Sequence, residues 1–201
     1  MNTTHHMNRN IGIIGLTFLV FALPNGLFAQ RIAMLDIKGH KDSFIQRFCE
    51  VRGFFQVKDI DNKPTLRGKI KDDSVNLLLY VSPHTQRVYQ VDVRFQSFDK
   101  WKKAKRFYLN HLKVYQSKYG EVKVSKREFE KPYCDGGGNE FEALKMGKAS
   151  FSDDWGDMPY IQNLHLLYFM DGDGYPVLRY RLKDEFMKYE EEKKLTPPSL
   201  F

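Results

Sequence analysis

Between Leu66 and Tyr119 the hydrophobic period of the chain changes, and that change limits the folds open to it. Leu66, Gly68 and Ile70 alternate with Arg67, Lys69 and Lys71. Val75 to Val81 is nearly all apolar, and Tyr89, Val91, Val93 and Phe95 again alternate with Gln90, Asp92 and Arg94. A period of two is that of a strand with one wet face, and the apolar run reads as a central strand. The link Ser82-Pro83-His84-Thr85 makes the last two a hairpin. Asp99 then caps a helix to Tyr119: Trp101, Ala104, Tyr108, Leu112, Tyr115 and Tyr119 share one face, and Gly120 stops it. Upstream, Ser43 and Gln46 are spaced as a capping box before the stripe Phe44, Ile45, Phe48 and Val51, with Gly53 as the stop.

The second half repeats this plan more loosely. Glu121–Glu130 is strand-like, Cys134 to Gly138 is a loop, and Glu140–Met146 is a short helix. Ala149, Phe151 and Trp155 alternate as a strand, and Asp171-Gly172-Asp173-Gly174 is a hairpin turn between two more. Asp184–Lys194 closes the chain as a charged helix. The run Val88–Phe95 leads into Phe98-Asp99-Lys100-Trp101 much as Val177–Leu182 leads into Asp184-Glu185-Phe186-Met187. The expected fold is therefore α+β: a tandem degenerate repeat of helix plus antiparallel β-meander, with the helices packed on one sheet face. A parallel sheet would need more crossover helices than the pattern supplies.

The first thirty residues read as an address. Arg9 precedes an apolar run from Ile11 to Ala29, broken by Pro24-Asn25-Gly26, and Ala29-Gln30 ends it as a cleavage site would. The apolar part before Pro24 is short for a membrane span of about 20 residues, so cleavage is favoured over an anchor. The expected divisions are a signal peptide at 1–29, a first α+β repeat at 30–120 and a second at 121–201. The expected destination is outside the cytoplasm: periplasm, cell surface or medium, with no membrane span after cleavage.

Composition then excludes several classes. Aromatics are 14% of 201 residues, too many for a disordered chain, and a mean hydropathy of -0.53 is too polar for a polytopic membrane protein. In an exported setting Cys49 and Cys134 either pair as a disulfide or sit as two separate buried thiols. The net charge of +7 is unevenly spread: residues 30–120 hold 19 Lys+Arg against 9 Asp+Glu, and residues 121–201 hold 12 against 16. Such a chain is suited to oriented association with a partner through one half, weakened by salt.

Ile37-Lys38-Gly39, Asp42-Ser43-Phe44, Arg52-Gly53-Phe54, the alternating strand ending at Phe95 and Lys118-Tyr119-Gly120 resemble a group of small exported proteins of gut Bacteroidetes. The resemblance covers residues 35–120, rests on structural punctuation, and implies export without an assigned activity. The duplicated layout is also similar in architecture to beta-lactamase-inhibitor-like folds, which implies a protein-binding sheet.

No catalytic constellation stands out. Asp171 and Asp173, joined by Asp153 from the acidic loop, supply the oxygens of a possible metal cage, but a hairpin turn explains Gly and Asp there without a metal. His40, His84, His111 and His165 form no pair at zinc spacing. His111, on the apolar face of the long helix, reads as a satisfied core histidine, and His165 alternates with Leu167 and Phe169 on a sheet face. Gly136-Gly137-Gly138 lacks the Lys-Ser/Thr of a phosphate loop. The remaining candidates are basic: Lys102, Arg106 and Lys113 on the long helix, with Arg67 and Lys69 on a strand, could hold an acidic patch. A solvated helix face is the plainer reading of the same charges.

These observations lead to an exported, non-enzymatic binding module for a protein or glycan of the cell envelope, without cofactor or nucleic acid. Two other functions fit the same sequence. One is an inhibitor of a secreted enzyme, inserting the loops His84–Arg87 or Asp171–Gly174. The other is a hydrolase using carboxylates among Asp153, Asp154, Asp157, Asp171 and Asp173.

Overall fold

The structure is a computed structural model, and it describes residues 31–32, 35–157 and 164–195. The leader expected over 1–29 and residues 158–163, the start of the strand expected over 160–170 among them, lie outside the described residues. A short ribbon of β1 (Arg31–Ile32) and β2 (Leu35–Asp36) leads into α1 (Lys41–Arg52). Four strands follow: β3 (Phe55–Ile60), β4 (Lys63–Ile70), β5 (Asp73–Val81) and β6 (Val88–Arg94). After α2 (Trp101–Tyr119) come β7 (Val124–Phe129), α3 (Glu140–Lys145), β8 (Ala149–Asp157), β9 (Leu164–Met170), β10 (Pro176–Leu182) and α4 (Lys183–Leu195).

The eight longer strands form one open antiparallel sheet in the order β3-β4-β5-β6-β10-β9-β8-β7. Two meanders therefore meet at a central seam, where β6 runs antiparallel to β10 and Asp92 faces Arg179. The α+β class with an antiparallel sheet is as expected. Among the described residues no helix is long and apolar enough to cross a membrane.

One sheet face carries the core. Leu66, Leu77, Leu79, Val91, Val93, Leu166, Tyr168, Leu178 and Tyr180 all point there and are buried. Over the first meander, α1 adds Phe44 and Phe48, whose rings stack at 4.3 Å, with Phe54 edge-on to Phe48. Over the second, α2 lays Tyr108 flat on Tyr168 at 4.4 Å and sets Trp101 edge-on to Phe129, Phe141 and Phe151. Gly68 sits on this face for want of space: a β-carbon there would lie 2.5 Å from the Phe54 ring.

The expectation that every helix packs on one face is corrected. α4 lies on the opposite face, across β6 and β10. The reason is a bulge in β6. Tyr80 pairs with Gln90 but Val81 pairs with Val88, so Tyr89 is an extra residue. The bulge keeps Val88 and Val91 on the core face and turns Tyr89 outward, where it stacks on Tyr189 of α4 at 4.2 Å. A strict alternation would have put Tyr89 in the core. α4 is further tied by the Arg87–Glu185 ion pair at 2.8 Å and by contact between Glu192 and Ser82.

Candidate functional site

Of the five basic residues singled out in the sequence, the structure brings three together. Lys102, Arg106 and Lys113 line one groove along the flank of α2 that faces the β7 edge. Its volume is about 540 Å³, and Leu109, Asn110, Leu112 and Gln116 complete the helix side. Successive cations three, four and seven positions apart share a helix flank, which is why the helical period gathers them. Arg67 and Lys69 do not join them. On β4 they alternate with the core residue Leu66, so they lie on the opposite sheet face, where Arg67 Nε donates to Asn76 Oδ1 at 3.1 Å.

Two further cations belong to the groove: Lys105 and Arg127. Both are neutralised. Lys105 bonds the carboxylate of Asp135, which also accepts from the Trp101 indole at 2.7 Å. Burial opposes the charge of Asp135, but these two donors hold its carboxyl below the usual range. Arg127 Nη2 lies 2.7 Å from Oδ1 of the buried Asp153, and Oδ2 of that carboxylate accepts from the Tyr108 hydroxyl at 2.7 Å. Lys102, Arg106 and Lys113 have no acidic partner among the described residues. The Arg127 side chain was legible in principle, since it lies two residues before Phe129 and the two share a face of β7, but only the packing of α2 against that edge shows what it meets.

The carboxylates do not assemble. Asp153 is on the core face of β8, paired with Arg127. Asp171 stands in the β9–β10 turn, 3.3 Å from Arg94, and its carboxyl is raised because burial outweighs that cation. Asp173 bonds Lys145 at 2.6 Å, and Asp154 accepts from the Gly156 N–H at 2.7 Å. Among the described residues no three His, Cys, Asp or Glu side chains are placed to share a metal ion, so the possible cage of Asp153, Asp171 and Asp173 is not built. Asp153, Asp154, Asp171 and Asp173 are each held by a different neighbour. The possible Cys49–Cys134 bond is not formed either: both thiols are free. Cys49 is on α1 against β3, and Cys134 follows β7, so the sheet order places them at opposite edges.

Both loops that would serve an inhibitor are docked against the body. In the β5–β6 turn, the Lys41 N–H donates to Gln86 at 2.8 Å, and Arg87 is gripped by Glu185. In the β9–β10 turn, Gly174 has φ +80°, and a β-carbon there would lie 2.7 Å from the Phe98 carbonyl. His111 is satisfied as expected, with Nδ1 3.1 Å from the Phe107 carbonyl and Nε2 3.0 Å from Asp73. His165 lies on the sheet face opposite the core, 3.4 Å from Asp154.

A polar cluster at the seam has no counterpart in the sequence reading. Asp92, nearly shut off from water, is held by Arg179 Nε and Nη2 at 2.9 and 2.8 Å, by the Tyr80 hydroxyl at 3.0 Å and by Gln90 at 3.2 Å. Burial works against the Arg179 charge, but the carboxylate more than offsets it and raises its pKa. The guanidinium also covers the Phe169 ring at 4.9 Å. Its members are engaged by one another and by Arg181, which donates to Gln90 Oε1 at 2.9 Å, so the cluster is a structural clasp rather than an open site.

Comparison with known proteins finds no matching family model, no matching curated protein and no matching solved structure.

Proposed function

We propose that this chain is an exported binding module that takes an acidic protein segment along the α2 groove. One observation carries this reading: three cations line a single groove without acidic partners, while the other two basic residues there are neutralised. The lining also favours protein over glycan. Leu109 and Leu112 lie among the cations, and among the described residues that line the groove none is aromatic, so a sugar has no ring there to stack on. Residues 102–116 belong to the basic half and Arg127 to the acidic half, so the groove straddles the expected boundary at residue 120.

Export rests on the apolar run Ile11–Ala29 and on the resemblance to small exported proteins. Duplication is the origin that the two four-stranded meanders and their antiparallel seam support. The helices depart from it: α1 precedes all four strands of its half, α3 falls between the first and second of its own, and α4 takes the other face from α2.

The test is titration of the protein with a synthetic peptide alternating Glu and Leu, at low and high salt. Lys102→Gln, Arg106→Gln and Lys113→Gln together should weaken binding by about tenfold or more, with a shallower salt dependence. Arg67→Gln with Lys69→Gln should leave it unchanged. An affinity equal in the triple variant, or tighter binding of a sulfated glycan than of the peptide, defeats the proposal.

A further inference from the structure

A second space lies inside the protein, between α2 and the seam. It measures about 290 Å³. Its floor is buried and largely apolar: Ile32, Val93, Phe95, Leu178 and Tyr180. Its mouth consists of exposed residues: Lys71 from the β4–β5 turn, with Val114 and Lys118 from α2. At about 30 Å³ per water this is room for about ten waters, whereas native interiors carry few voids larger than one. An apolar cavity about half this size stays dry and accepts a small hydrocarbon.

The polar groups around it are arranged by depth. Asp73, an acid on the lining, is engaged by His111 Nε2 at 3.0 Å, and the His111 ring is stacked on Phe107 at 3.9 Å. Tyr180 shares a hydroxyl contact with Tyr119 at 3.1 Å. Tyr168 Oη is buried without a hydrogen-bond partner, on a ring packed edge-on to Phe95 and Tyr115, two walls of the cavity. At the mouth, Lys71 and Lys118 have no acidic partner among the described residues; Lys118 rests only over the Tyr119 ring, at 4.7 Å.

We infer that this cavity binds a monocarboxylate with an apolar body of roughly ten carbons, the body among Val93, Phe95 and Leu178 and the carboxylate between Lys71 and Lys118. An apolar floor demands the body, and two uncompensated ammonium groups at the entrance select the sign of the head. The site is separate from the α2 groove, since the two linings share no residue.

Calorimetric titration with decanoate, decanol and decyltrimethylammonium tests it. Decanoate should bind at least about tenfold more tightly than decanol, and the ammonium compound least, because a charge-assisted bond is worth about one such factor or more. Lys71→Gln with Lys118→Gln should remove the preference for decanoate and leave decanol unchanged. Val114→Trp, at a residue half exposed in the native protein, should block the mouth and weaken both acid and alcohol by about tenfold. Because both lysines are also exposed, their variant keeps the test decisive should the Trp variant misfold. No decanoate binding up to about 1 mM, or equal affinities for the three compounds, overturns the inference.

Discussion

Asp92 sits in a nearly dry position, where Arg179 binds both its oxygens and Tyr80 and Gln90 complete its shell. Removing one partner of such a pair leaves the other charge uncompensated, which costs more than the pair itself contributes. Asp92→Ala should therefore lower unfolding free energy by about 2–4 kcal/mol, read from urea denaturation. A loss under about 1 kcal/mol would mean that the clasp is solvated. Gly68→Ala should also destabilise, by about 1–3 kcal/mol, because the added methyl meets the Phe54 ring. Buried phenols set the alkaline limit. Burial, then the Asp92 charge, raises Tyr80 to about 12, and burial also raises Tyr89, Tyr108, Tyr115, Tyr168 and Tyr180. Unfolded phenols lose their protons near pH 10 while the folded ones hold them, so above that the unfolded state binds fewer protons and stability falls as pH rises. Tyrosinate absorbance should accordingly rise together with loss of the fold, from about pH 10 to 12. A smooth titration of all the tyrosines in a folded protein would contradict this.

At the scale of elements, α2 was the most legible, because its apolar stripe is long and ends at Gly120 as the sequence predicts, although its N-cap is Lys100 and Asp99 pairs with Lys103 instead of capping. The start of α1 was less so. His40 caps it through Nδ1, accepting from the Asp42 N–H at 3.3 Å, and the helix begins before the capping-box spacing of Ser43 and Gln46. β3 gives no clean alternation, since it is a largely exposed edge strand with a register shift between Val57 and Ile60. α4 is amphipathic only weakly and buries none of its residues, so its face could not be read from period. It is held instead by Tyr189 on Tyr89 and by Glu185 on Arg87. The hydrogen bond from Arg87 is the chief reason that the Glu185 carboxyl titrates below its ordinary 4.5. Its contribution is present above that value and fades as pH falls through the lower folded one. The hydrogen-exchange protection factors of α4 should thus fall as pH drops below 4.5, while those of the sheet hold. Tyr189→Ala should produce the same loosening at neutral pH.

Across the whole molecule, the charge asymmetry of the two halves does not become a simple separation of charge in space. The basic α2 lies over β9 and β10 of the acidic half, and the acidic α4 lies over β6 of the basic half. The groove that results draws on both halves, which sequence counting could not show because it depends on where α2 crosses the sheet. The hairpin of β5 and β6 and the turn between β9 and β10 were written in local alternation and turn residues, whereas β3, the groove, the cavity and the seam were not, because they depend on contacts between distant segments or lie at the exposed edge. The seam adds a temporal consequence. Every other strand pairing in the sheet joins neighbours in the chain, but Asp92 and Arg179 are 87 residues apart. Closing so large a loop costs entropy before any contact repays it. Each meander can form early on its own hairpins, and their joining is then the slow event, with β6 and β10 waiting as unpaired edges. At high protein concentration those edges can find each other in different molecules first, so refolding should yield exchanged dimers in proportion to concentration.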